Sequence, residues 1–586
     1  MFRRQSAKPT IRPRTPCGHD LGPNRDWIVE LEGTAKAALE TGRTRLIVAG
    51  LVFACAFLVV GLRLVGIVLL QDVEEPRLAA TPSGSEALET GRAEILDRNG
   101  QVLATTLPTS SLYANPRHIT NPEEAAVRLA TALPSEPKAK LLAKLSADRS
   151  FVWMKRGLTP RETAAVNRLG IPGLYFQREE RRFYPHGALT SHIVGFTNID
   201  NKGLAGMEQA FNPQLRGSNQ PLRLSIDLRI QHILSEELLA GMQAFNGIGA
   251  AGLVMDARSG EVLAMVSLPS YDPNNPAAAP DAGRFNRATL GVYEMGSIFK
   301  IFTTAMALDS GVVTLEDGYD VTKPIRIARF TITDFHPHRG WLSIPEIFKE
   351  SSNIGTVHMA VDSGTELQKR YLAGLGLLSA PKLELPEVGE PMIPAKWREI
   401  NTMTISYGHG IAVTPVQAAR AVAGVVNGGV LPEATLLKRP EGEPLGGTRV
   451  IGERTSDQMR WLMRLVVEQG TGGNAEAEGY LVGGKTGTAD KLRPGGGYAR
   501  DKRIASFAGA FPMNDPRYVV LAMVDEPKGT KASYGYATGG WVAAPVVGKT
   551  VQRMAPLLGI EPAPSAPVQN ELLVPVNLRG RAVAAQ

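Results

Sequence analysis

The chain has 586 residues, 43% hydrophobic and 21% charged, which excludes a disordered or low-complexity protein and calls for more than one domain. A formal charge of +7 invites a nucleic-acid partner, but its location argues otherwise. Residues 1–45 carry nine basic and five acidic residues, a net +4, leaving only +3 for the other 541. No basic patch on a folded surface is implied, so no nucleic-acid partner is expected.

Taken in chain order, the first feature is a basic tail over residues 1–45. It runs into LIVAGLVFACAFLVVGLRLVGIVLL over 46–70, whose single charge is Arg63. Twenty-five helical residues reach about 37 Å, enough to cross a bilayer. Arg63, near the far end, can snorkel to the interface. The run exceeds a signal-peptide core and lacks a small-x-small cleavage site, so an uncleaved anchor is expected. Basic residues before it and Asp72, Glu74 and Glu75 after it put the N-terminus in the cytoplasm and the rest outside. The two cysteines, Cys17 and Cys55, both lie before the external part, which therefore holds no disulfide.

Residues 71–225 read as an N-terminal pedestal of short strands and helices behind a Pro/Ser/Gly linker. Within it, Asp97-Arg98-Asn99-Gly100 marks a turn between two strands, and residues 122–147 have helical spacing. A second domain is expected over 226–555, followed by a tail over 556–586. Its first hairpin flanks Ala257-Arg258-Ser259-Gly260. Two further strands, Ile504 to Phe511 and Tyr518 to Val524, surround Pro512. Strands at both ends with helices between predict an α+β fold: an antiparallel sheet packed on a helical subdomain.

The chemistry sits in three short motifs. Ser297-Ile298-Phe299-Lys300 opens an apolar helical run ended by Gly311. The helix start favours negative charge developing on the Ser297 oxygen, and Lys300 lies one turn on along the same face. An amine desolvated there can act as base for the hydroxyl. Alone, this pattern is better explained by a helix-capping serine and a surface lysine. Its companions change that: Ser351-Ser352-Asn353 follows 54 residues after Ser297 and Lys485-Thr486-Gly487-Thr488 a further 134 after Ser351. S-x-x-K, S-x-N and K-T-G in this order form the signature of penicillin-binding proteins and class A β-lactamases. Ser352 stands where the β-lactamase motif has Asp.

The expected roles are Ser297 as nucleophile and Lys300 as its base, with Ser351 and Lys485 relaying a proton to the leaving amine. Asn353 is expected to hold the substrate backbone, and Thr486 and Thr488 its terminal carboxylate. Gly487 would let a substrate strand approach closely. The backbone N–H groups of Ser297 and Thr488 would form an oxyanion hole.

With these motifs the chain, from about residue 45 to 550, resembles a class B penicillin-binding protein. The likeness is closest to the division-specific peptidoglycan D,D-transpeptidase of the FtsI type. Further matching segments are Asp97 to Gly100, Phe151 to Arg156, Arg181 to Pro185, Gly203 to Glu208, Ser406 to Ile411, Thr414 to Gln417, Ala505 to Phe507 and Ala543 to Pro545. His409, where the elongation paralogue usually has Gln, and Lys491 favour the division type. Ala93 departs from the Gly that many relatives carry.

The resemblance implies a serine-type transpeptidase in the bacterial inner membrane, single-pass and at the division septum, with its catalytic domain in the periplasm. It implies acylation of Ser297 by a stem peptide ending in D-Ala-D-Ala and transfer to an amine of a neighbouring stem, with D,D-carboxypeptidase activity on the side. β-Lactams would acylate Ser297, and no cofactor or metal is needed. Implied partners are peptidoglycan stems on lipid II-derived glycan strands, an FtsW-type glycosyltransferase and other divisome proteins.

The alternatives weighed are a non-catalytic divisome scaffold, the elongation paralogue, and a β-lactamase or β-lactam sensor, which lacks a deacylating Glu. Glu179-Glu180 imitates a glycosyltransferase acid but lacks that domain's other segments. Asp334, His336 and His338 imitate a metal triad but read as a loop hydrogen-bond network.

Overall fold

The structure is a computed structural model and describes residues 45–62, 91–327, 330–493 and 497–562. It divides into two units, residues 1–87 and 88–586. In the first, Arg45–Leu62 forms one helix with a mean hydropathy of 2.5, apolar and long enough to cross a membrane. It carries Cys55 on its exposed surface. Residues 63–70 of the expected 46–70 span lie outside the described residues, as do Cys17, the basic tail before Arg45, the 71–90 linker and the tail beyond 562.

The second unit begins with the pedestal. Its strands are β1 (Ile95–Leu96), β2 (Val102–Ala114), β3 (Val152–Leu158), β4 (Leu174–Phe183) and β5 (Leu222–Arg223). Long β2 is the spine, pairing antiparallel with β1, β3 and β4. The expected turn after β1 is held by buried Asp97, whose carboxylate accepts the N–H groups of Asn99 (2.7 Å) and Gln101 (2.8 Å). The same carboxylate accepts the N–H of Leu228 at 3.2 Å, tying the pedestal to the first helix of the next domain, Leu228–Ala244.

The separated segments of the family likeness converge here. Arg92, Arg182 and Glu208 form a buried triad, all three side chains at most 1% exposed. Arg92 and Arg182 each donate from Nε to one Glu208 oxygen, at 2.5 and 2.6 Å. Glu179 accepts from Ser111 and pairs with Arg156, so the imitated glycosyltransferase acid is bound up within the pedestal sheet.

The larger domain is built on a five-stranded antiparallel sheet of β6 (Gly249–Asp256), β7 (Val262–Leu268), β8 (Gly483–Leu492), β9 (Tyr498–Phe511) and β10 (Tyr518–Asp525). Their order is β8-β9-β10-β6-β7. The β6–β7 and β9–β10 hairpins follow the sequence expectation. Every residue of β6, β7 and β10 is buried. Helices Leu228–Ala244 and Ala544–Met554 cover one face, and a helical subdomain including Pro415–Val426 covers the other. Cover on both faces explains why these strands read as unbroken apolar runs. The fold is α+β, as expected, and β8, which carries Lys485, lies at the edge of the sheet.

Candidate active site

A cleft of about 670 Å³ runs along the outer side of β8 and is lined by Ser297, Ser351, Asn353, Thr486 and Thr488. All three motifs therefore meet in one place, although 188 positions separate Ser297 from Lys485.

Ser297 does not open the α-helix itself. It lies in a 3-10 turn, Gly296–Ile298, that feeds the buried helix Phe299–Asp309. Gly296 has φ +55°, and a Cβ there would fall 2.5 Å from the carbonyl oxygen of Thr488. Only glycine permits both that conformation and so close a crossing of the turn over β8. The crossing brings the Ser297 and Thr488 backbones together, as an oxyanion hole requires. Gly487 is also demanded within the chain: a Cβ there would strike the Met295 carbonyl at 2.3 Å and Ser506 Oγ at 2.5 Å. The crossing of the Ser297 turn over β8 by itself demands a glycine at that position.

Ser351 ends the helix Ile344–Glu350 in the left-handed conformation, φ 60° and ψ 42°. That strain costs a non-glycine residue about 1 kcal/mol or more. It is held by Lys300, whose Nζ donates to the Ser351 carbonyl (2.5 Å), to Ser351 Oγ (3.1 Å) and to Asn353 Oδ1 (2.8 Å). From the opposite wall Lys485 Nζ donates to the same Ser351 Oγ at 2.9 Å. One hydroxyl thus bridges two buried amines. Ser297 Oγ has no hydrogen-bond partner among the described residues, so the expected serine–lysine contact is not made in this state. Catalytic hydrogen bonds often tighten only when substrate binds.

Burial, with the nearby Lys485 charge, pulls the pKa of Lys300 well below the usual lysine value, while Asp334 pulls in the opposite direction. Lys485 is wholly buried, and desolvation alone lowers its pKa to about 7. The ring of Phe348 lies 5.9 Å from its Nζ and contributes to that apolar setting.

The carboxylate absent from position 352 is supplied from elsewhere in the chain. Buried Asp334 accepts from Ser352 Oγ (2.8 Å), Asn353 N (2.5 Å) and Ile354 N (3.0 Å) at the start of the helix Asn353–Ser363. Ser352 Oγ in turn caps Gly355 N at 3.0 Å. Asp334 is thus a loop hydrogen-bond hub, and among the described residues no cluster of three or more His, Cys, Asp or Glu could hold a metal. Asn353 donates one amide hydrogen to Thr333 O at 2.9 Å, which leaves its second amide hydrogen for a ligand. Thr488 Oγ1 accepts from Gly539 N at 3.1 Å, which leaves its own hydrogen free to donate. Thr486 Oγ1 pairs with Thr471 Oγ1 at 2.8 Å.

Sequence reading missed two groups. Thr471 carries no motif. Glu294, three residues before Ser297, is buried, and desolvation raises its pKa to about 7. It accepts from Gly410 N (2.9 Å) and Tyr498 Oη (3.1 Å), joining the Ser297 turn to the Ser406–Ile411 segment and to β9. Between pH 4.5, where a free glutamate titrates, and about 7 the folded protein keeps a proton that the unfolded chain has lost. Stability should therefore fall as pH rises through that window, by up to about 3 kcal/mol. Denaturant titration should find this slope absent in Glu294→Gln; a slope equal to the parent's would place the titrating group elsewhere.

A family model described as the penicillin binding protein transpeptidase domain matches residues 250–552. One described as the penicillin-binding protein dimerisation domain matches residues 87–227. The chain is 41% identical over 490 residues to the probable peptidoglycan D,D-transpeptidase FtsI of Caulobacter vibrioides, covering 81% of this chain and 83% of that one. It is 31% identical to the peptidoglycan D,D-transpeptidase FtsI of Escherichia coli K12, over 81% and 85% of the two chains. The fold is also that of crystalline penicillin-binding protein 3 from Mycobacterium tuberculosis, with TM-score 0.64 and 23% identity, covering 81% of this chain and 98% of the other. Two family models covering pedestal and catalytic domain in turn, and relatives aligned over four-fifths of its length, make the chain a member of the class B penicillin-binding protein family.

Proposed function

We propose that this chain is a peptidoglycan D,D-transpeptidase that cross-links stem peptides through an acyl-enzyme on Ser297. The observation that carries this reading is the convergence of two pKa-lowered, buried lysines on one serine hydroxyl, in the same cleft as Ser297.

The donor stem lies along the edge of β8, its terminal carboxylate on the Thr486 and Thr488 hydroxyls. Ser297 Oγ attacks the carbonyl of the penultimate D-Ala and passes its proton to Lys300. The oxyanion is met by the N–H groups of Ser297 and Thr488, each donor worth about 10²–10³ in rate. Ser351, between Lys300 and Lys485, relays the proton to the departing D-Ala nitrogen. An amine of a second stem then takes the acyl group by the reverse sequence; water in its place gives D,D-carboxypeptidase activity. β-Lactams enter as mimics of the donor terminus and stop at the acyl-enzyme.

The membrane helix, with its basic N-terminal flank, supports a single-pass anchor in the inner membrane with the catalytic domain in the periplasm. The FtsI relatives support a place in septal synthesis, with an FtsW-type glycosyltransferase and other divisome proteins as partners.

Fluorescent penicillin should label the full-length protein in membranes covalently, and Ser297→Ala should abolish the label. Labelling that survives would move the nucleophile elsewhere. Normal division supported by Ser297→Ala alone would instead favour a scaffold, and a fluorescent fusion along the side wall rather than the septum would favour elongation.

A further inference from the structure

The charge outside the N-terminal tail is concentrated in one part of the pedestal. Residues 102–183 hold thirteen basic and seven acidic residues, a net +6, against +7 for the whole chain. Their sheet is covered on one face, where Leu112, Met154 and Phe176 pack against the helices Pro122–Ala132, Lys138–Leu145 and Pro160–Asn167. Strand alternation turns Tyr113, Trp153 and Tyr175 to the other face, and the register sets Tyr113 beside both of the others. Phe151 joins them from the segment Phe151 to Arg156, which the mechanism does not use.

The rings touch. Phe151 and Tyr175 stack on either neighbour contact of Tyr113, with centroids 4.7 and 5.3 Å away, and Trp153 stands edge-on to Phe151 at 4.9 Å. Yet Phe151 and Tyr175 remain 43% and 40% exposed. An aromatic cluster left this open marks an interaction surface. Its rim is basic. The Arg156 guanidinium lies 5.2 Å from the Trp153 centroid. Arg117 pairs with Asp148, both in open solvent, where such a pair is worth little. Arg149, exposed and two residues before Phe151, makes no ion pair among the described residues.

Whatever covers this face must suit both features. Trp and Tyr rings flanked by basic side chains are the composition of a membrane–water interface, and the surplus of positive charge is complementary to anionic headgroups. The bilayer is also in reach. Twenty-eight residues separate Leu62, at the end of the apolar helix, from Gly91, at most about 100 Å of extended chain. Tethering makes docking intramolecular, so a patch too small to hold a free protein suffices here. The patch lies at the far end of β2, about 40 Å of strand from the Asp97 turn that ties the pedestal to the catalytic domain.

We propose that the face carrying Tyr113, Phe151, Trp153 and Tyr175 docks the pedestal on an anionic lipid surface, the rings entering the headgroup region and Arg149 and Arg117 meeting phosphates. This rests on the anchor reading above, and its test separates the two. The full-length protein is placed in phosphatidylglycerol nanodiscs with or without bromine on the lipid chains near the headgroups, and tryptophan emission is compared. The chain has six tryptophans, so the difference between the parent and Trp153→Phe isolates the one on the patch. Brominated lipid should quench that component. Arg149→Glu should lower its docked-to-free ratio by about 10- to 30-fold, and high salt or phosphatidylcholine discs should weaken the quenching in the same direction.

Equal quenching of the parent and Trp153→Phe overturns the inference and leaves the face to a protein partner. A Trp153 signal unchanged by Arg149→Glu and by phosphatidylcholine overturns it too, because the headgroup charge then plays no part. Penicillin labelling shows that each variant is folded. A parent that fails to co-elute with the discs removes the anchor reading; co-elution without Trp153 quenching removes only this inference.

Discussion

Replacing Lys300 by methionine is expected to slow acylation of Ser297 by benzylpenicillin by about 10²- to 10⁴-fold, the usual contribution of a positioned general base. Methionine fills much of the lysine's buried volume without its charge, so the domain should still fold. The loss has two parts. Ser297 no longer has an amine one turn away, and Ser351 loses the donor that holds its left-handed carbonyl and hydroxyl. A pH profile separates them. In the parent, acylation should rise with pH as the buried amines shed protons, with Lys485 contributing near pH 7. If Lys300 is the base, the variant's residual rate should lose its part of that rise. A loss below about tenfold with an unchanged profile would hand the role to Lys485.

The second large effect lies far from the chemistry. Glu208→Ala should destabilise the pedestal by about 3–5 kcal/mol, because it strands two buried guanidinium groups that share one carboxylate. Arg92 retains the carbonyls of Asn201 and Glu208 and the side chain of Asn212 as acceptors. Arg182 Nη2 already lacks a partner, so its exposure to the loss is greater. Limited proteolysis should cut the variant within residues 91–225 at denaturant concentrations that leave the parent intact. Penicillin labelling of the catalytic domain should persist under milder conditions. A melting temperature within a degree or two of the parent's would show that the arginines find other partners.

These two sites differ in how they could be read. Ser297, Lys300, Ser351, Asn353 and Lys485 were legible because each sits in a three- or four-residue pattern whose chemistry is local: a helix start, a turn, a strand. Of the triad, Arg182 and Glu208 were visible only in two separate segments of family likeness and Arg92 in none, with nothing to say that the three touch. Glu294 carried no motif, and Asp334 was legible only as part of a D-x-H-x-H loop, with nothing to say which backbone it holds. Asp334 matters because its loop folds back over the start of the Asn353–Ser363 helix, and Glu294 because the Ser406–Ile411 segment and β9 close over it.

By itself the sequence determined the order of domains, the apolar N-terminal helix, the α+β class, the β6–β7 and β9–β10 hairpins and the three motifs. Each rests on hydrophobic periodicity or on neighbours within about twenty positions. Only the tertiary structure decided that β8 is an edge strand, that Gly487 makes room for the turn carrying Ser297, and that Ser351 bridges two lysines while Ser297 has no hydrogen-bond partner among the described residues. Only it buried those lysines deeply enough to lower their pKa values. Desolvation and close backbone crossing depend on which distant segments cover a group, and the linear pattern of residues carries no record of that cover.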